Sequence, residues 1–134
     1  MAGQNIGFED VPGTWKLVKA VGYDEAGNAI SQPYGPEPMG RLVLTENGRM
    51  MAVICDGRKQ IPDGGKRAYA SYAGNYIVEK NVLTTTVDAA LDPARIGGKQ
   101  SRRLSMDGDL LVLMPPRRAD GEQRILHWER TGPA

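Results

Sequence analysis

Asp88 and Arg102 are the residues whose types and spacing best suit chemistry in this chain. They flank the turn-rich stretch Asp92-Pro93-Ala94-Arg95-Ile96-Gly97-Gly98. A hairpin folded about Arg95 sets Asp88 opposite Arg102, Thr86 opposite Leu104 and Ala90 opposite Gln100, and opposed residues share a face. A carboxylate beside a guanidinium inside a protein could anchor a ligand carboxylate, or serve as a base next to its orienter. The same pair could equally be a structural ion pair or an exterior cross-strand contact. Tyr72, Gly74 and Tyr76 alternate and so share one face of a strand. Their phenols could donate to a substrate oxygen, with room left between them at Gly74, or could simply pack. Tyr34 lies in the proline-braced stretch Pro33-Tyr34-Gly35-Pro36 and could fold over a binding site. Lys19 has the parity of Trp15 and Leu17, which would point it inward to bind an anion or to snorkel outward. The candidate catalytic residues are therefore Asp88, Arg102 and Tyr76. The candidate ligand contacts are Tyr34, Tyr72, Tyr76, Asp88, Arg102, Leu104 and Lys19.

Other chemistries find little support. His127 is the only histidine, and the alternate row Leu126, Trp128 and Arg130 turns it outward. Cys55 is the only cysteine; with no histidine placed to activate it, it reads as a small buried hydrophobe. One histidine and one cysteine do not make a zinc site, so no metal is expected. No glycine-rich phosphate loop or Gly-x-Ser-x-Gly elbow is present, and no cofactor is expected. The formal net charge is +1, and Lys66-Arg67, Arg102-Arg103 and Arg117-Arg118 are scattered pairs rather than the basic stripe of a nucleic-acid binder. No apolar run approaches the roughly 20 residues of a spanning helix. A lone cysteine, and a start without a basic segment leading into an apolar run, fit a cytoplasmic protein. Assembly as a homodimer is left open.

The elements that must position these residues are strands. At 134 residues the chain is one domain, 1–134, long enough to bury a core without staples. Gly13 to Tyr23 reads as a first strand rich in residues that fit a pleated surface. Further strands are expected over 40–45, 49–55, 72–78, 82–91, 99–106, 110–114 and 123–130, with one helical turn over 66–72. Asn47-Gly48, Glu79-Lys80-Asn81 and Asp107-Gly108-Asp109 are tight turns. The connections 24–39, 56–71, 92–98 and 115–122 are longer. Tight and long connections alternate, so all the long ones fall at one end of an antiparallel array. The implied architecture is all-β, an eight-stranded antiparallel up-and-down barrel over about 13–130, pinched below and furnished above. Ile6 and Phe8 would cap the floor. Eight strands leave an interior for side chains or one small ligand.

Gly13-x-Trp15 with Arg130 on the last strand resembles the lipocalin superfamily, in which an arginine lies across a tryptophan at the closed end. The whole order Gly13-Thr14-Trp15-Lys16-Leu17-Val18, Tyr34-Gly35-Pro36, Asn47-Gly48-x-Met50, Tyr72-Ala73-Gly74-x-Tyr76, Leu91-x-Pro93, Gln100-x-Arg102, Asp107-Gly108-Asp109-x-Leu111 and Trp128-Glu129-Arg130 is similar to the bacterial and fungal lipocalin-like domain family. The chain departs from that family at Thr85-Thr86, where relatives often carry a histidine pair, so chemistry resting on those histidines does not carry over. The resemblance implies a calycin-type barrel holding a hydrophobic or amphipathic small molecule. The alternative it implies is a cofactor-independent isomerase, cyclase or lyase working in the same cup on a small organic substrate.

Overall fold

The computed structural model describes residues 5–133, with Ser31 and Asp63 described by backbone alone. The strands are β1 (Gly13–Tyr23), β2 (Ala29–Ser31), β3 (Pro38–Leu44), β4 (Arg49–Asp56), β5 (Tyr69–Glu79), β6 (Val82–Ala90), β7 (Lys99–Asp107), β8 (Leu110–Met114) and β9 (Gln123–Gly132). All neighbours are antiparallel, in the order β2-β1-β3-β4-β5-β6-β7-β8-β9, and β9 returns to pair with β1. Eight strands thus close a barrel, as the loop alternation requires. The ninth, β2, lies within the 24–39 stretch that the sequence assigns to a connection; it pairs with the upper end of β1 at Gly22 and Tyr23, above the stretch where β1 pairs with β3. The helical turn expected over 66–72 is absent. A 3-10 turn lies instead at Pro62–Gly64, and β5 begins at Tyr69. Among the described residues no helix is long and apolar enough to cross a membrane.

The pinched end is built from the β3–β4, β5–β6 and β7–β8 turns. Lys80 and Asn81 adopt φ of 50° and 61°, the mirror-image turn that matches strand twist. The N-terminal segment seals this end: Phe8 stacks on Tyr76 with ring centroids 5.0 Å apart, and the Ile6 amide donates to Asn81 Oδ1 at 2.7 Å. Trp15 is fully buried here, its Nε1–H donating to the Val11 carbonyl at 3.0 Å. The Arg130 guanidinium lies 4.2 Å from the Trp15 ring centroid, a favourable cation–π pair. It also donates to the backbone carbonyls of Pro12 and Asp10, tying the N-terminal segment to β9. Inward side chains including Trp15, Leu17, Leu42, Leu44, Leu83, Val87, Leu111 and Trp128 form one continuous core.

Two β-bulges reset which side chains face in. On β1 the register with β9 slips between Leu17 and Lys19, leaving Val18 as the extra residue. Trp15 and Leu17 face in below the bulge, and Ala20 and Gly22 face in above it. On β6 the register with β5 slips between Gly74 and Ala73, leaving Asp88 as the extra residue. Leu83, Thr85 and Val87 face in and Asp88, by alternation, faces out; beyond the bulge the rows exchange, and Ala90 opposes Tyr72 on the inner face. Gly74 makes this bulge possible. A Cβ on Gly74 would stand 2.0 Å from the Thr86 carbonyl oxygen and 3.0 Å from Val87 Cα, so the two backbones approach as only glycine permits.

Candidate functional site

The four long connections converge at the end of the barrel opposite Trp15, and below them lies a cavity of about 240 Å³. Its walls are apolar: Leu42, Ala52 and Ile54 from β3 and β4, Leu113 from β8, and Leu126 and Trp128 from β9. Its mouth is aromatic and cationic. Tyr34 comes from the β2–β3 connection, Tyr72 from β5, Arg95 from the β6–β7 connection, and Gln100 and Arg102 from β7. Pro115, Pro116, Arg118 and Arg124 complete the rim from the connection before β9 and from β9 itself. The expected polarity of the barrel, open at the long loops and closed at the tight turns, is the one observed.

The mouth is held by local geometry. Arg95 ends a 3-10 turn, Pro93–Arg95, whose preceding Asp92 side chain accepts from the Ala94 amide. The guanidinium carbons of Arg95 and Arg102 each lie 5.9 Å from the Tyr72 ring centroid. Arg102 also donates to the Ser101 carbonyl at 2.9 Å and to Gln100 Oε1 at 3.2 Å. That leaves part of its five-donor fork free. Arg124 is paired with Glu122 at 2.7 Å. Arg95, Arg102 and Arg118 have no carboxylate at ion-pair distance among the described residues. Behind the mouth, Asp56 is a buried carboxylate clasped by Arg58 at 2.6 Å. Its hydrogen bonds from Arg58 hold its pKa below the ordinary carboxylate value. The Arg67 guanidinium donates to the Asp56 carbonyl at 2.6 Å, so one residue ties both ends of the β4–β5 connection. Trp128 lines the cup, and its buried Nε1–H donates to nothing among the described residues.

The residues singled out from the sequence divide cleanly. Tyr34, Tyr72 and Arg102 line the cup. Leu104 faces the interior but lies in the packed core rather than in the cup lining. Asp88 does not oppose Arg102: the partner of Arg102 is Leu83, and Gln100 opposes Thr85. Asp88 stands on the outer surface in a forked pair with Arg49, at 2.6 and 3.3 Å. The hydrogen bond from Arg49 lowers the Asp88 pKa, and both side chains are about half exposed. The assumed register fails because the β6–β7 ladder ends at Thr86–Lys99, leaving 88–98 to project as a long arm. The assumed face fails with it: Arg102 pairs with Leu83 rather than Asp88, an odd offset, so Leu83 and Thr85, not Thr84 and Thr86, share the inner face with Arg102 and Gln100. Tyr76 also lies apart from the cup: it is buried at the closed end and donates to the Thr45 carbonyl at 2.7 Å. Burial pushes its phenol up to about 12, so it stays a donor. The room expected between Tyr72 and Tyr76 is filled by the β6 backbone over Gly74. Lys19 is exposed and opposite His127, because the Val18 bulge reverses its parity. His127 is outside the barrel, as expected, 3.8 Å from Asp107.

A lipocalin-like domain model matches residues 12–131, nearly the whole chain. The chain belongs to the lipocalin-like domain family. No curated protein and no solved structure matches it at a significant level. Of Thr85 and Thr86, Thr85 faces in, fully buried and with its hydroxyl unpartnered among the described residues. Sequence reasoning missed Arg95, Arg118, Arg124 and Trp128 as cup residues. A usable signal existed: three of the four lie in, or next to, the connections already assigned to the open end, and Trp128 shares the inward row of Leu126.

Proposed function

We propose that this lipocalin-like barrel binds a small amphipathic molecule in its cup. The observation that carries this conclusion is the cavity of about 240 Å³ at the loop-bearing end, apolar in its walls and polar only at its mouth. Ligand sites have this composition, with a few polar groups fixing orientation over an apolar body. The cavity is slightly below the roughly 300 Å³ at which most ligand pockets begin, so the occupant is compact. Catalysis in the same cup would have drawn on Asp88 as base. That carboxylate is outside, bonded to Arg49, which favours binding over turnover.

Isothermal titration with two compact two-ring amphiphiles, 2-naphthoate and 2-naphthalenemethanol, tests the proposal. At least one should bind with 1:1 stoichiometry. Ala52→Phe, which projects a ring into the cup from a buried wall position, should abolish that binding while leaving the melting temperature within a few degrees. Binding of neither probe up to millimolar concentration, or binding that survives Ala52→Phe, overturns the proposal.

A further inference from the structure

We infer that the cup selects an anion: a small aromatic carboxylate whose head group docks on Arg102 and Arg95 beside Tyr72, with its ring system against Leu126 and Trp128. This rests on the cup being a binding site, as proposed above, and adds the chemical class of its occupant. The chain is almost neutral, with 17 basic and 16 acidic residues, so an even spread would place acids and bases in the cup alike. Instead four arginines line it and no acidic residue does. Glu122 engages only one of them, Arg124. Like charges gathered at a partly desolvated mouth repel one another, and the field they create concentrates anions there.

Geometry narrows the class. Arg102 is half-buried and is held by its bonds to the Ser101 carbonyl and Gln100, so its fork is pre-oriented rather than free in solvent. A planar fork presents paired donors that match a carboxylate. The Tyr72 ring is common to both guanidinium groups, whose carbons each lie 5.9 Å from its centroid. The size of the apolar part follows from the volume. A cavity of roughly 150 Å³ accommodates a benzene ring, so about 240 Å³ accommodates one to two rings. Trp128 adds an aromatic wall with an unsatisfied donor in it.

The test compares 2-naphthoate, 2-naphthalenemethanol and 2-naphthyl phosphate by isothermal titration against the wild type, Arg102→Met and Arg95→Met. The wild type should bind the carboxylate at least tenfold more tightly than the alcohol, and more tightly than the phosphate. That preference should shrink with added salt and fall at least fivefold in Arg102→Met, the acid losing more affinity than the alcohol. Should Arg102→Met not fold, judged by circular dichroism, Arg95→Met on its exposed turn should lower the same preference. Equal affinity for acid and alcohol, or tighter binding of the phosphate, overturns the carboxylate assignment while leaving the binding cup intact. Binding of neither acid nor alcohol overturns both.

Discussion

Replacing Gly74 with alanine is the most direct probe of how this barrel is built. In an ordinary strand interior the exchange stabilises a protein by about 0.5–1 kcal/mol, because glycine loses more conformational freedom on folding. Here the added methyl carbon would meet the Thr86 carbonyl oxygen at 2.0 Å, well over an ångström inside ordinary contact. The obstacle is backbone on both sides, with no side chain to rotate away. Relief requires β5 and β6 to part at the pairs Gly74–Val87 and Asn75–Thr86. Overpacking of a tight interior costs about 1–3 kcal/mol, and each ladder hydrogen bond lost adds about 1 kcal/mol. With two such bonds at risk, the variant should be destabilised by about 3–5 kcal/mol. That is a large part of the roughly 5–15 kcal/mol available to a domain, and corresponds to a melting temperature lower by about 10–20 °C at this chain length. Thermal and urea unfolding followed by circular dichroism would measure it. An alanine variant as stable as the parent, or more so, would refute both the close approach and the bulge that depends on it.

Three further outcomes are expected. Trp15→Ala should cost about 3–5 kcal/mol in urea unfolding, as for a fully buried indole removed from a core, whereas Arg130→Met should lose the cation–π pair and two carbonyl contacts and cost less; equal or negligible losses would contradict the closed-end packing. Tyr76→Phe should lower stability by about 1 kcal/mol through the lost bond to Thr45 and leave affinity for any cup ligand unchanged, which titration of the variant would check. Burial, and then the charge of Lys19, push the pKa of His127 below its ordinary 6.5, against the opposing pull of Asp107. The unfolded chain therefore takes up a proton first, and stability should fall as pH drops below about 6.5 towards the lower folded value; His127→Gln should flatten that slope in pH-dependent unfolding, and an unchanged slope would assign it to other groups.

The architecture was legible in the sequence because it rests on features read one stretch at a time. Alternating apolar residues mark the strands, Asn47-Gly48 and Asp107-Gly108 mark the tight turns, and the alternation of long and short connections gives the barrel a closed and an open end. The capping by Ile6 and Phe8 follows from the same pattern, whereas the pairing of Trp15 with Arg130 is what the resemblance to lipocalins implies. The site was only partly legible. Tyr34 is legible from its proline-braced long connection, and Tyr72 and Arg102 from the alternation along β5 and β7. Lys19 faces out because a single extra residue at Val18 reverses every face beyond it, and Asp88 faces out because the hairpin is not folded about Arg95: Arg102 pairs with Leu83, an odd offset that exchanges the two faces of β6. Nothing local to Val18 or Asp88 announces a bulge; the one at Asp88 exists because a neighbouring strand offers Gly74, whose missing side chain lets two backbones close in. Local pattern thus determined the strands and the polarity of this barrel, while contacts between strands distant in sequence decided which side chains face the cup.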